Sequence, residues 1–240
     1  MTYVRQMVAA QVFAAAMAAW QARAVPAYVQ FTLPCADTAL SRLCDPGDGA
    51  RFTVRMADGR TYAETVPKDG RTTVKPIMNG GLIFGPGGTP LGFFRQVGPG
   101  PAPLPPPNLA PDPLPLKTIA TVSAKAQAYS VAFDGSERIG GVDCYRLKLK
   151  PLGDPERYPL RQLWVEKATD QIRRLTYEWD FGDNHRGLVH YDFAQQGDPA
   201  IWTIVHIDAD NGRQKVADDL ADIAFPDSMP DEDFEAPSVP

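Results

Sequence analysis

Residues 127–208 decide the fold. They read QAYSVAF (127–133), the pair Asp134-Gly135, a short segment to Gly140-Gly141, VDCYRLKLKP (142–151), a Pro-rich connection, LRQLWVE (160–166), KATD (167–170), QIRRLTYEWDF (171–181), GDN, GLVHYDF (187–193), QQGDP and AIWTIVHID (200–208). Strand-like runs of roughly five to ten residues, each closed by Gly, Asp, Asn or Pro, spell a meander joined by tight turns. Alternation then assigns the faces. Tyr145, Leu147 and Leu149 oppose Arg146 and Lys148. Leu163 and Val165 oppose Trp164. Leu175, Tyr177, Trp179 and Phe181 oppose Arg174, Thr176 and Glu178. Val189, Tyr191 and Phe193 oppose His190 and Asp192. The last long run has Trp202 and Ile204 on one face and Ile201, Val205 and Ile207 on the other, as a strand covered on both sides requires.

Upstream, YVQFTL (28–33) alternates with Val29, Phe31 and Leu33 on one face. ARFTVRM (50–56), Asp58-Gly59 and RTYAETV (60–66) read as a hairpin with a two-residue turn, and the meander's apolar face is expected to need this pair to extend its sheet. The Gly-rich stretch 75–94 reads as an edge strand with bulges or as a covering loop; its glycines do not fit a dinucleotide-binding turn. Residues 97–116, VGPGPAPLPPPNLAPDPLPL, are extended and polyproline-like. An exposed loop, a lid and a docking motif all stay open for them. Neither flanking half has enough strands to close a core by itself. One domain over residues 1–226 is therefore expected, followed by an acidic, Pro-rich and loosely held tail, 227–240.

Residues 1–24 admit two readings. Val4, Met7, Val8, Val12, Ala15, Ala16, Ala19 and Trp20 recur at helical spacing, and Pro26 would stop such a helix. Met1–Arg5, the apolar run after it and Ala22-Arg23-Ala24 also form a passable secretory signal. The apolar run is too short for a membrane span.

With 240 residues and 44% hydrophobic content, the chain can bury a sizeable core. A formal charge of −5 and a pI near 5.2 exclude the basic face that a nucleic-acid binder needs. Cys35 and Cys44 flank a short loop. In an oxidising compartment they are expected to pair, which contributes roughly 2–3 kcal/mol. Cys144 falls within a strand run and reads as a small buried hydrophobe. His185, His190 and His206 sit on separate elements, so neither a metal site nor a cofactor is expected. Arg161, Arg173 and Arg174 are balanced by Glu166, Glu178 and Asp180, as ion pairs across strands on a wet face would be. No carboxylate pair or nucleophile motif is singled out, and no enzyme activity is expected.

The opening helix, the 28–33 strand, the hairpin and the run Gly141, Cys144, Tyr145, Leu147, Leu149, Pro151, then Leu163, Trp164, Val165, Glu166, Thr169, Ile172 and Arg174 resemble the LolA/LolB-like superfamily of periplasmic lipoprotein carriers. The likeness covers most of residues 14–226 and is specific over 135–180. The chain differs in its Pro-rich insertion, its Cys35/Cys44 pair and its few further helices. The resemblance implies an α+β, mainly β fold: a large curved antiparallel sheet, or half-barrel, with an N-terminal helix on its concave face. It also implies a periplasmic or secreted location in the bacterial envelope.

Apolar strand faces outnumber the helices available to cover them. The expectation is therefore a monomeric, non-enzymatic protein that binds a lipid, an acylated protein or another long apolar ligand, with a membrane-associated or lipoprotein partner. Alternation alone nominates the lining: Phe13, Trp20, Phe31, Phe52, Leu147, Leu175, Tyr177 and Trp179. A structural or protein-interaction module with a fully packed sheet is the alternative.

Overall fold

The structure is a computed structural model and describes residues 2–34, 47–57, 60–68, 76–81, 84–85, 89–90, 129–153, 160–180, 186–210 and 215–234. The Cys35–Cys44 pair, Asp58-Gly59, the Pro-rich stretch 97–116 and His185 lie outside them. The described chain is mainly β, with antiparallel sheets and an N-terminal helix, as the sequence predicts. It forms two compact units.

The first unit is the meander with its helix. Strands β7 (Tyr129–Ile139), β8 (Val142–Pro151), β9 (Leu160–Glu166), β10 (Ile172–Asp180), β11 (Arg186–Gln196), β12 (Ile201–Asp210) and β13 (Lys215–Asp219) form a seven-stranded sheet in strict chain order. That order is open, so this sheet does not close into a barrel. The turn between β7 and β8 is Gly140-Gly141, with φ of 55° and 82° and Ile139 opposite Val142. Two successive positive φ values are what a tight hairpin of this hand needs, which is why two glycines stand there. Asp134-Gly135 is not a turn. It is a bulge inside β7, where the register shifts between Phe133 and Ser136 and Gly135 takes φ 111°. Arg146 caps the bulge by donating from Nε and Nη2 to the Asp134 carbonyl at 3.0 and 2.8 Å. Lys167–Asp170 turns the chain as read, with Glu166 N–H bonded to the Gln171 carbonyl at 2.8 Å.

Helix α1 (Thr2–Ala22) belongs to this unit and stops short of Pro26. Its buried side is Ala9, Ala16, Met17 and Trp20. The face predicted from Val8 is rotated by about one residue, roughly 100°: Val8 is 41% exposed and Ala9 is 0%. An Ala-rich helix is weakly apolar all round, so spacing could not single out its inner face. No described helix is long and apolar enough to cross a membrane.

The second unit is a five-stranded sheet in the order β14-β1-β2-β3-β4, from β1 (Tyr28–Pro34), β2 (Gly49–Arg55), β3 (Thr61–Val66), β4 (Pro76–Gly81) and β14 (Ala221–Ala224). The hairpin at 50–66 thus builds this sheet and does not extend the meander. Phe31 faces Phe52 across β1 and β2, and their rings stack at 5.5 Å. Strand β4 is an edge with shifted register, as the Gly-rich composition suggests. A small pair, β5 (Phe84–Gly85) and β6 (Thr89–Pro90), follows. The start of the acidic tail is not loosely held. A 3-10 turn, Asp231–Phe234, buries Phe234 completely. Tyr28 packs on the Phe234 ring at 5.6 Å, and Arg60 donates to the Phe234 carbonyl at 3.1 Å. Arg55 lies over the same ring and pairs with Asp231 at 3.1 Å.

Candidate functional site

The register of the meander brings its apolar positions into rows. Phe133 stands opposite Leu147, Leu147 opposite Leu163, Leu163 opposite Leu175, and Leu175 opposite Tyr191. One continuous apolar row therefore crosses β7 to β11. Leu147 and Leu163 are 0% exposed. Tyr177 lies on the same face as Leu175, and its ring meets Tyr191 at 6.0 Å. Burial pushes the Tyr191 phenol well above its ordinary range. A neutral, deeply desolvated Tyr is what an apolar face can hold.

Helix α1 covers this face. It packs on β7 and β9, and Trp20 meets Phe193 of β11 edge-on at 4.9 Å. Phe193, Tyr191 and Val189 share one side of β11 by alternation, so the helix and the row lie on the same side. Among the helix's described side chains, the buried ones are small or pliable, Ala9, Ala16 and Met17, with the bulky Trp20. The Trp20 side chain is 5% exposed, and its indole Nε1–H has no hydrogen-bond partner. Three residues on, Arg23 folds back over it. The guanidinium carbon stands 3.9 Å from the indole centroid, and Nη1 donates to the Trp20 carbonyl at 2.7 Å. Burial pulls the Arg23 guanidinium down to about 10.

The opposite face of the meander is polar and internally matched. Arg146, Trp164, Arg174 and Asp192 form a row by register. Trp164 Nε1 donates to Glu137 at 2.9 Å, and Arg174 Nη2 donates to Asp192 at 2.6 Å. Arg161 pairs with Glu178 and Arg173 with Glu166, as read from the sequence. Arg174 meets Asp192, its direct partner on β11. Cys144 is fully buried beside Ile139 and Trp164, and burial raises its thiol pKa. It is a packed side chain on this face. His190 shares a hydrogen bond of 2.8 Å with Thr176 Oγ1. Among the described residues no cluster of His, Cys, Asp or Glu has the makings of a metal site.

Of the nominated lining, Leu147, Leu175 and Tyr177 share the meander's apolar face with Trp20 above it. Phe13 is half-buried on α1, and Trp179 takes its place on β10 opposite Gly187. Phe31 and Phe52 meet each other on the five-stranded sheet. Sequence reasoning missed Arg23 and Met17. Arg23 was legible as a basic residue three positions after Trp20 at a helix end, where it reaches the last turn.

Three solved structures are similar to the chain. A DUF1329 family protein from Desulfovibrio piger has 14% identity and a TM-score of 0.39, covering 96% of this chain and 97% of its own. A LolA superfamily protein from Nitrosomonas europaea has 10% identity and a TM-score of 0.39, covering 96% and 99%. A putative outer membrane lipoprotein-sorting protein domain from Vibrio parahaemolyticus has 14% identity and a TM-score of 0.33, covering 87% of each chain. No curated protein matches the sequence. A family model described as "Uncharacterized protein" matches residues 119–238, half of the chain, and the chain belongs to that family.

Proposed function

We propose that the chain is a non-enzymatic binding protein of the bacterial envelope that reversibly holds a lipid or another long acyl chain on the apolar face of its meander. One observation carries the reading: a broad, continuous apolar row is covered by a helix whose buried residues, among its described side chains, are Ala9, Ala16 and Met17 with the bulky Trp20. Small side chains bury little area, so α1 is a thin cover. An acyl chain contributes about 0.8 kcal/mol for each CH₂ removed from water. A guest of ordinary length therefore offsets the burial that the helix gives up when it yields its place. No catalytic group is needed for this work. The residue pattern from Gly141 to Arg174 supports the envelope setting and a lipoprotein or membrane partner.

A second reading, a packed interaction module, is favoured by the low exposure of Leu147, Leu175 and Tyr177. Native mass spectrometry after gentle purification separates the two. Bound lipid, or saturable uptake of a fluorescent acyl probe, is expected. Repeated absence of both leaves the packed module.

A further inference from the structure

Among the described residues, five arginines of the meander sheet meet carboxylates: Arg138, Arg146, Arg161, Arg173 and Arg174. Arg23, at the end of α1, folds over Trp20 instead and meets no described carboxylate. It is half-buried over an indole, and of its five N–H groups the structure uses one, on the Trp20 carbonyl. Beneath it, the Trp20 N–H is buried and has no acceptor. A buried donor without an acceptor destabilises a fold, and so does a desolvated cation without an anion. The lowered guanidinium pKa reflects that same desolvation. Two such costs at one helix end, beside the apolar face that the helix covers, point to an acceptor that a guest supplies.

We propose that Arg23 and the Trp20 Nε1–H together receive the oxyanion head of an amphipathic guest, the carboxylate of a long-chain acid, whose tail lies on the row from Phe133 to Tyr191. The guanidinium stands over the face of the indole and the N–H leaves its edge. A carboxylate at that edge accepts from the indole with one oxygen and from the guanidinium with the other. The inference rests on the acyl-binding reading and adds to it the chemistry of the guest's polar end.

The test compares a pyrene-labelled hexadecanoic acid with its methyl ester, which has the same tail and no charge. Wild-type protein is expected to bind the acid roughly tenfold more tightly, as one charge-assisted hydrogen-bonded contact implies. Arg23→Gln and Trp20→Phe should each bring the acid-to-ester ratio towards one, while Arg23→Lys should retain part of it. Circular dichroism establishes that each variant is folded. Equal binding of acid and ester by the wild type overturns the head-group site and leaves the acyl-binding reading standing. Binding of neither overturns both. Displacement of the acid by inorganic phosphate at micromolar concentration, with no response to the ester, overturns the lipid source in favour of a free anion.

Discussion

The two large sheets among the described residues are held together in different ways. In the meander, every strand pairs with its neighbour in sequence, from β7 through β13. In the other sheet, β1 lies between β2 and β14, and β14 comes from near the far end of the chain. The 3-10 turn that follows repeats the arrangement: Arg55 and Asp231 pair although they stand 176 positions apart. A meander can form by local hairpin closure. A sheet clasped by a distant strand must first bring remote segments together, which slows its formation. The difference teaches where each unit is vulnerable. The meander depends on its central apolar row, and the clasped sheet depends on its C-terminal pin.

The pin is the first place to break the comparison. Phe234 is 0% exposed and is held by Tyr28, Arg55 and Arg60. Phe234→Ala should cost about 3–5 kcal/mol. Hydrogen exchange resolved by peptide should show protection lost in β1, β2, β3 and β14, because the clasp opens. If that loss appears equally in β8, β9 and β10, the two sheets do not have separate weak points. The reciprocal change is Leu163→Ala, at the centre of the apolar row. It should cost about 3 kcal/mol and reduce protection in β8, β9 and β10 first. Denaturant midpoints measure both magnitudes.

This contrast also explains what could be read from the sequence. Hairpins announce themselves locally: Gly140-Gly141 and Lys167–Asp170 needed only their neighbours to be recognised. Phe31 and Phe52 were legible as inward residues by alternation, and their stacking follows from the register of β1 on β2. The partner of β1 on its other side was not legible, because Ala221–Ala224 is short, small and remote from it. Phe234 was hidden in the same way. A tail rich in Asp and Pro looks solvated until two arginines on distant strands are seen to hold it. Asp134-Gly135 failed for another reason, since a bulge and a turn use the same residues and only the register separates them. At the candidate site, the apolar row was legible from period two. The orientation of α1 was not, because alanine marks no face. The role of the Arg23 guanidinium depended on a fold-back over Trp20 that spacing only permits.

A smaller change sharpens the comparison within the clasped sheet itself. A Cβ on Gly49 would stand 2.8 Å from the Thr32 methyl across β1 and β2. That is closer than van der Waals contact allows, and Thr32 is β-branched and stiff. Gly49→Ala should destabilise by about 1–3 kcal/mol through overpacking. The double variant with Thr32→Ser, which removes the offending methyl, should recover most of the loss in the same denaturant assay. Failure of that rescue would place the strain in the backbone of β2.

The smallest expected effect is the pH dependence that Tyr62 gives the clasped sheet. The Tyr62 hydroxyl donates to Glu64 at 3.1 Å, and burial, followed by the charge of Glu64, pushes its pKa up from 10.0 to about 12. The unfolded chain therefore releases this proton at lower pH than the folded chain does. Between these two values the folded state binds more protons, so stability falls as pH rises. Below pH 10 the contribution is fully present, and it is lost as pH climbs through 12. Tyr62→Phe cannot titrate and should flatten the fall in β1–β3 protection between those limits. Tyr191 on the meander, raised well above its ordinary range by burial, gives that unit a fall of its own by the same linkage, so Tyr62→Phe should leave the meander's loss of protection as it is in wild-type protein. An unchanged fall in β1–β3 protection in Tyr62→Phe would assign the effect to general alkaline unfolding.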